Sequence, residues 1–151
     1  MFCIYQQKTR KRIILCKLSA DIFWIFHYFC LGAFAGTVPN ITGVFREVVF
    51  FYRKDKKWAQ SPLWFALFIA INILLGARSY RQWYDIVPIV ASCFATVALW
   101  LDRPNLTKLI SAPASASFLL YDIFVGSYMG IVSESISLVS IALYFFNNRK
   151  K

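Results

Sequence analysis

Two sets of polar side chains lie within long apolar stretches of this chain, and they are the residues whose types could do chemistry. His27, Asn40, Tyr121, Asp122 and Glu134 form the first: an imidazole, a carboxamide, a phenol and two carboxylates, groups suited to holding a polar solute. Lys17, Asp21, Arg46 and Glu47 form the second, two cations and two anions that sum to zero. Lys17 and Asp21 are spaced i,i+4 and can pair on one helix. Polar groups in an apolar setting are costly, so each needs a partner or a purpose. Catalysis is not indicated. There is one histidine and no HExxH, nucleophile elbow or Gly-rich phosphate loop, so neither an enzyme nor a cofactor is expected. Cys3, Cys16, Cys30 and Cys93 have neither CxxC nor metal spacing, so no metal site is expected and they read as small hydrophobes.

The elements that must position these groups follow from composition. Of 151 residues, 59% are hydrophobic and 19% aromatic, while only 16% are charged, with a net charge of +10. A disordered chain would be poorer in apolar residues. A soluble nucleic-acid binder needs a polar surface to carry its basic patch, so nucleic acid is not an expected partner. Apolar bulk with excess positive charge is the signature of a polytopic membrane protein. Six apolar segments can be drawn, at about 13–33, 36–52, 61–77, 85–101, 107–124 and 128–147, against the ~20 residues that a helix needs to cross hydrocarbon. The expected fold is therefore all-α, with six transmembrane helices and the lipid bilayer as the first partner. The first residues lack the long apolar run and cleavage site of a signal peptide.

Charge placement gives the topology. If every segment crosses, one side receives Lys8, Arg10, Lys11, Arg12, Arg53, Lys54, Lys56, Lys57, Arg103, Lys108, Arg149, Lys150 and Lys151. The other side receives only Arg78 and Arg81. Basic loops stay inside, so both termini are expected in the cytoplasm. Trp58, Trp64 and Trp100 near the inner boundary and Trp83 near the outer one fit aromatic anchoring.

A shift of 94 residues places Leu31-Gly32-Ala33-Phe34-Ala35-Gly36-Thr37-Val38 on Val125-Gly126-Ser127-Tyr128-Met129-Gly130-Ile131-Val132. The first two segments then correspond to the last two, and the repeats run parallel. The glycine pairs straddle segment joints, so tight outer turns with positive φ are expected rather than a helix-dimer motif. At ~1.5 Å per residue, His27 stands roughly 22 Å above the inner end of its segment, with Asn40 and Glu134 at similar heights. Tyr121 is the repeat partner of His27, and Asp122 follows it. All five are expected to line one cavity in the outer half. Lys17, Asp21, Arg46 and Glu47 meet lower down, as a structural tie or an inner gate. Ser111, Ser115 and Ser117 are read as small residues for close helix approach.

The chain resembles the YgjV-type bacterial inner membrane proteins, related to the SWEET and PQ-loop transporters. The similar pieces are Lys17-Leu18-Ser19 leading to His27-Tyr28-Phe29-Cys30-Leu31-Gly32, then Leu101 to Lys108, then Val125-Gly126-Ser127 through Glu134. Nearly the whole chain is covered. The resemblance implies three helices, a linker helix and three more. Here it implies an incomplete first repeat at 1–53, a linker at 61–77 and a second repeat at 85–147, lacking the first helix. It also implies a substrate-facing Asn-x-x-Gly, which Asn40-Ile41-Thr42-Gly43 matches and Glu134 with Ser137 replaces in the second repeat. The expected function is a small-solute transporter-like bundle of the bacterial inner membrane. The competing expectation is a non-transporting scaffold or remnant. A groove left by a missing helix would suit a second copy, making a homo-oligomer.

Overall fold

Apolar runs in lipid satisfy their backbone groups internally only as helices or closed barrels. The computed structural model describes residues 7, 9–101 and 103–148. Among them it has six α-helices and no strand: α1 (Arg10–Cys30), α2 (Phe34–Tyr52), α3 (Leu63–Ser79), α4 (Ile86–Trp100), α5 (Pro104–Val125) and α6 (Tyr128–Asn148). Each apolar segment of the sequence becomes one helix, with ends within three residues of the expected ones. Cys3, Lys8, Arg149, Lys150 and Lys151 lie outside the described residues.

Among the described residues, four stretches are long and apolar enough to cross a membrane: Lys11–Cys30, Trp83–Trp100, Pro104–Val125 and Tyr128–Phe146. Leu63–Ser79 is apolar but shorter. Pro62 immediately precedes α3 and Pro104 opens α5, places where a missing N–H costs nothing.

The helices pack as neighbours in sequence, α1 on α2, α4 on α5 and α5 on α6, with α3 bridging α2 and α4 and α2 also touching α4. Two joints are tight. Gly32 between α1 and α2 has φ of 67°, and Gly126 between α5 and α6 has φ of 73°. Both occupy the left-handed region that side chains avoid, as expected of tight turns at these joints. The N–H of Ser127 closes the second turn on Asp122 O at 2.9 Å.

Burial runs opposite to that of a water-soluble domain. Phe23 is 76% exposed and Tyr128 82%, whereas Arg46 is 1% exposed and Asp122 0%. Apolar outside and charged inside is the pattern of a bundle whose solvent is hydrocarbon. Along the bundle, one apolar cluster joins Ile13, Ile14, Phe50, Phe68 and Leu99 towards one end. A second, Tyr28, Ala33, Ala35 and Tyr121, lies towards the glycine turns. The polar residues occupy the belt between them.

Candidate functional site

The belt holds a cavity of about 40 Å³, lined by Lys17, Asp21, Trp24 and Tyr28 of α1, Asn40 of α2, Ser111, Ala114, Ser115 and Phe118 of α5, Glu134 of α6 and Ala95 of α4. Asn40 and Glu134, expected at one cavity, both line it, and both are buried. Asn40 bonds within its own helix, Nδ2 donating to Gly36 O at 2.7 Å. Ser115 stands beside Glu134.

The other three expected residues stand outside that lining. His27 Nε2 lies 2.8 Å from Ser127 Oγ, which also accepts the Gly130 N–H at 3.1 Å. Tyr121 is buried against Tyr28 and Tyr84, ring centroids 6.0 and 6.2 Å away. Asp122 accepts the Tyr28 hydroxyl at 2.6 Å, and its second oxygen has no partner. Gly130 lets α6 come this close, because a Cβ there would strike the Asp122 carboxyl. For His27 the reason is helical azimuth; Asp122 continues the α5 face of Ser111, Ser115 and Phe118 and is taken up by its bond to Tyr28. Lys17, Asp21, Trp24 and Tyr28 follow spacings of four, three and four, one stripe on a helix of 3.6 residues per turn. His27 is turned about 100° from Tyr28 and faces the α5–α6 turn instead. Depth along the axis gives height, not direction.

The second set, expected lower down, assembles beside the cavity and sends Lys17 and Asp21 into its wall. Lys17 Nζ meets Asp21 Oδ1 at 2.8 Å and Glu47 Oε1 at 3.6 Å. Arg46 Nη2 lies 3.4 Å from Glu47 Oε1. Arg46 Nη1 also donates to Thr96 Oγ1 at 2.9 Å and Ser92 O at 3.3 Å, so the network reaches from α1 through α2 to α4. Gly43 gives Asp21 its room: a Cβ on Gly43 would strike Asp21 Oδ2. Arg46 Nε and Glu47 Oε2 have no hydrogen-bond partner.

Tyr28, Ser127, Ser92 and Thr96 were absent from both expected sets. Tyr28 was legible from the stripe it shares with Lys17 and Asp21, and Ser92 and Thr96 from their i,i+4 spacing in an otherwise apolar run. Ser127 carries no such signal. Ser111 and Ser115, read as packing residues, also line the cavity, while Ser117 is half-buried and donates to Pro113 O at 2.9 Å. Asn72, in the apolar α3, is buried with neither amide atom bonded.

Towards the ends of the helices, cations sit on aromatic faces. The Arg53 guanidinium lies 3.6 Å from the Trp100 ring centre and donates to Trp100 O. Lys108 Nζ lies 3.1 Å over the Tyr144 ring. Trp64 donates its indole N–H to Trp58 O at 2.9 Å, and Trp83 packs on Phe124. Aromatic belts of this kind mark membrane interfaces.

Among known proteins, a family model described as a bacterial inner membrane protein matches residues 1–151. No curated protein and no solved structure matches the chain. Full-length agreement with that model, together with apolar helices around a polar interior, places the chain in the Imp-YgjV family of bacterial inner membrane proteins.

Proposed function

We propose that the chain is a transporter-like bundle for a small polar solute, not an enzyme, that crosses the membrane six times with both termini in the cytoplasm. The observation that carries the reading is the cavity shared by Asn40 and Glu134, with Lys17 and Asp21 in its wall. Intramembrane ionisable groups around a cavity mark solute and ion pathways. Packing alone would favour dry contact there, with each polar group bonded to a neighbouring helix.

Two parallel halves support the same reading. The starts of α1 and α5 are 94 residues apart, as are those of α2 and α6, the two positive-φ glycines, and the Tyr28–Asp122 bonded pair. A bond between equivalent positions is what an axis along the membrane normal would produce, with the solute site between halves, as in SWEET-type plans. In this reading α3 is the linker and α4 to α6 form the second half. The partners are the bilayer and the solute, with a second copy as a further candidate. The basic loops around Arg53 to Lys57 and at Arg103 favour the cytoplasmic side.

Uptake into proteoliposomes, wild type against Glu134→Gln, tests the proposal. Uptake of at least one small polar solute, lost in the variant, is the expected result. Confirmed insertion with no uptake of any solute would leave the second reading, a membrane scaffold, which the charge network tying α1, α2 and α4 favours.

A further inference from the structure

The chemistry of the cavity wall narrows what it can hold. Several of its oxygens have already spent their hydrogens elsewhere. Ser111 donates its hydroxyl to Thr107 O at 2.7 Å and Tyr28 donates to Asp122 Oδ1 at 2.6 Å. Asn40 donates through Nδ2 to Gly36 O, which leaves Oδ1 to accept. Ser111 and Tyr28 meet the cavity as acceptors, and Asn40 can accept there through Oδ1 while its Nδ2 keeps one further hydrogen. Its ammonium, on Lys17, is already engaged by Asp21 at 2.8 Å and Glu47 at 3.6 Å.

Charge points the same way. Lys17 and Arg46 are matched by Asp21 and Glu47. Asp122 and Glu134 are two further buried carboxylates, and no lysine or arginine lies within 4 Å of either among the described residues. Lys108, the remaining buried cation, is held over the Tyr144 ring. An uncompensated carboxylate in a low-dielectric interior takes up a cation, whether a proton or a metal ion. A cavity of about 40 Å³ has room for a few waters, so the cation is small.

We propose that the cavity binds one small monovalent cation at Glu134, supported by acceptor oxygens of Asn40 and Ser111. The assignment rests on the cavity being functional, and it gives the transport reading its ion. The charged and titratable groups facing Glu134 are Lys17, Asp21 and Tyr28 from α1 and Asp122 from α5, with Arg46 and Glu47 of α2 behind them. From α4 the cavity receives only Ala95.

The test is thermal unfolding of the full chain in detergent, with choline chloride replaced by lithium, sodium, potassium or ammonium chloride at constant ionic strength, and separately across pH 5 to 8. Either one of these cations or acidification should raise the wild-type midpoint saturably, by roughly 5 °C at a hundred-fold excess over Kd. A salt response identifies an ion and a pH response alone identifies a proton. Glu134→Gln should lose the response and Asp122→Asn should keep it. Identical responses in wild type and Glu134→Gln overturn the proposal. Where Glu134→Gln fails to accumulate, the wild type decides: an apolar carbodiimide should label Glu134, read by mass spectrometry, and cation or pH should change the labelling rate at least tenfold. Labelling indifferent to every cation and to pH overturns the site. Cation binding without solute uptake would remove the transport reading and leave the site; uptake without any cation response would do the reverse.

Discussion

The charge network and the cavity are neighbours in one polar belt, yet they treat their carboxylates differently. Asp21 and Glu47 each face a cation within 4 Å, and Arg46 is further held by Thr96 and Ser92. Glu134 and Asp122 face hydroxyls instead, Ser115 for one and Tyr28 for the other. Paired ions in a membrane interior have spent their attraction on each other and act as fasteners. A carboxylate matched only by hydroxyls keeps its charge available. The contrast teaches that identical residue types in one belt can meet different partners, cations for Asp21 and Glu47 and hydroxyls for Glu134 and Asp122.

That contrast can be broken by substitution. The largest effect is expected at Arg46→Ala, which leaves Glu47 buried without its arginine and should cost about 5 kcal/mol, enough to abolish the folded peak in detergent extracts. Arg46→Lys should rescue it poorly, since one ammonium cannot reproduce the guanidinium fork that meets Glu47, Thr96 and Ser92 together. Asp21→Ala should cost about 3 kcal/mol and lose more folded protein than Asn40→Ala, whose bond is confined to its own helix. Equal yields of the two would erase the distinction drawn between ion-paired and unpaired groups of the cavity wall. Gly43→Ala should cost about 1–3 kcal/mol by pressing on Asp21, read as a lowered unfolding midpoint. The smallest stability change, within about 1 kcal/mol, is expected at Glu134→Gln, which keeps shape and hydrogen bonding while uptake disappears. A Glu134→Gln variant as unstable as Asp21→Ala would move Glu134 into the fastening group.

The helices were legible because apolar runs of this length admit little else, and the glycines at 32 and 126 marked two of their joints, whereas the start of α5 at Pro104 lies three residues before the expected one. The four-charge network was legible because Lys17 and Asp21 share a helix face and Arg46 with Glu47 lies at a matching height. The cavity was legible at Asn40 and Glu134, whose register comes from the same 94-residue shift. What escaped was direction around the axis. Height and chemical type point to His27, whereas it is Tyr28 that continues the face begun by Lys17 and Asp21. Tyr121 is turned from the lining face of α5 and fills space beneath Gly36, whereas Asp122, the counterpart of Tyr28, lies on that face and bonds Tyr28 directly. Ser127 belongs to a turn and pairs with His27 a hundred positions earlier in the chain, a contact no local pattern encodes.

The two left-handed glycine turns bear on how such a molecule can move. Only residues 31–33 separate α1 from α2, and only 126–127 separate α5 from α6. Joints this short act as clasps: neither hairpin can spread at that end without unwinding a helix. Each hairpin is therefore held as one lever at that end, and an opening between levers is widest at the ends away from the clasps, where residues 53–62 join α2 to α3.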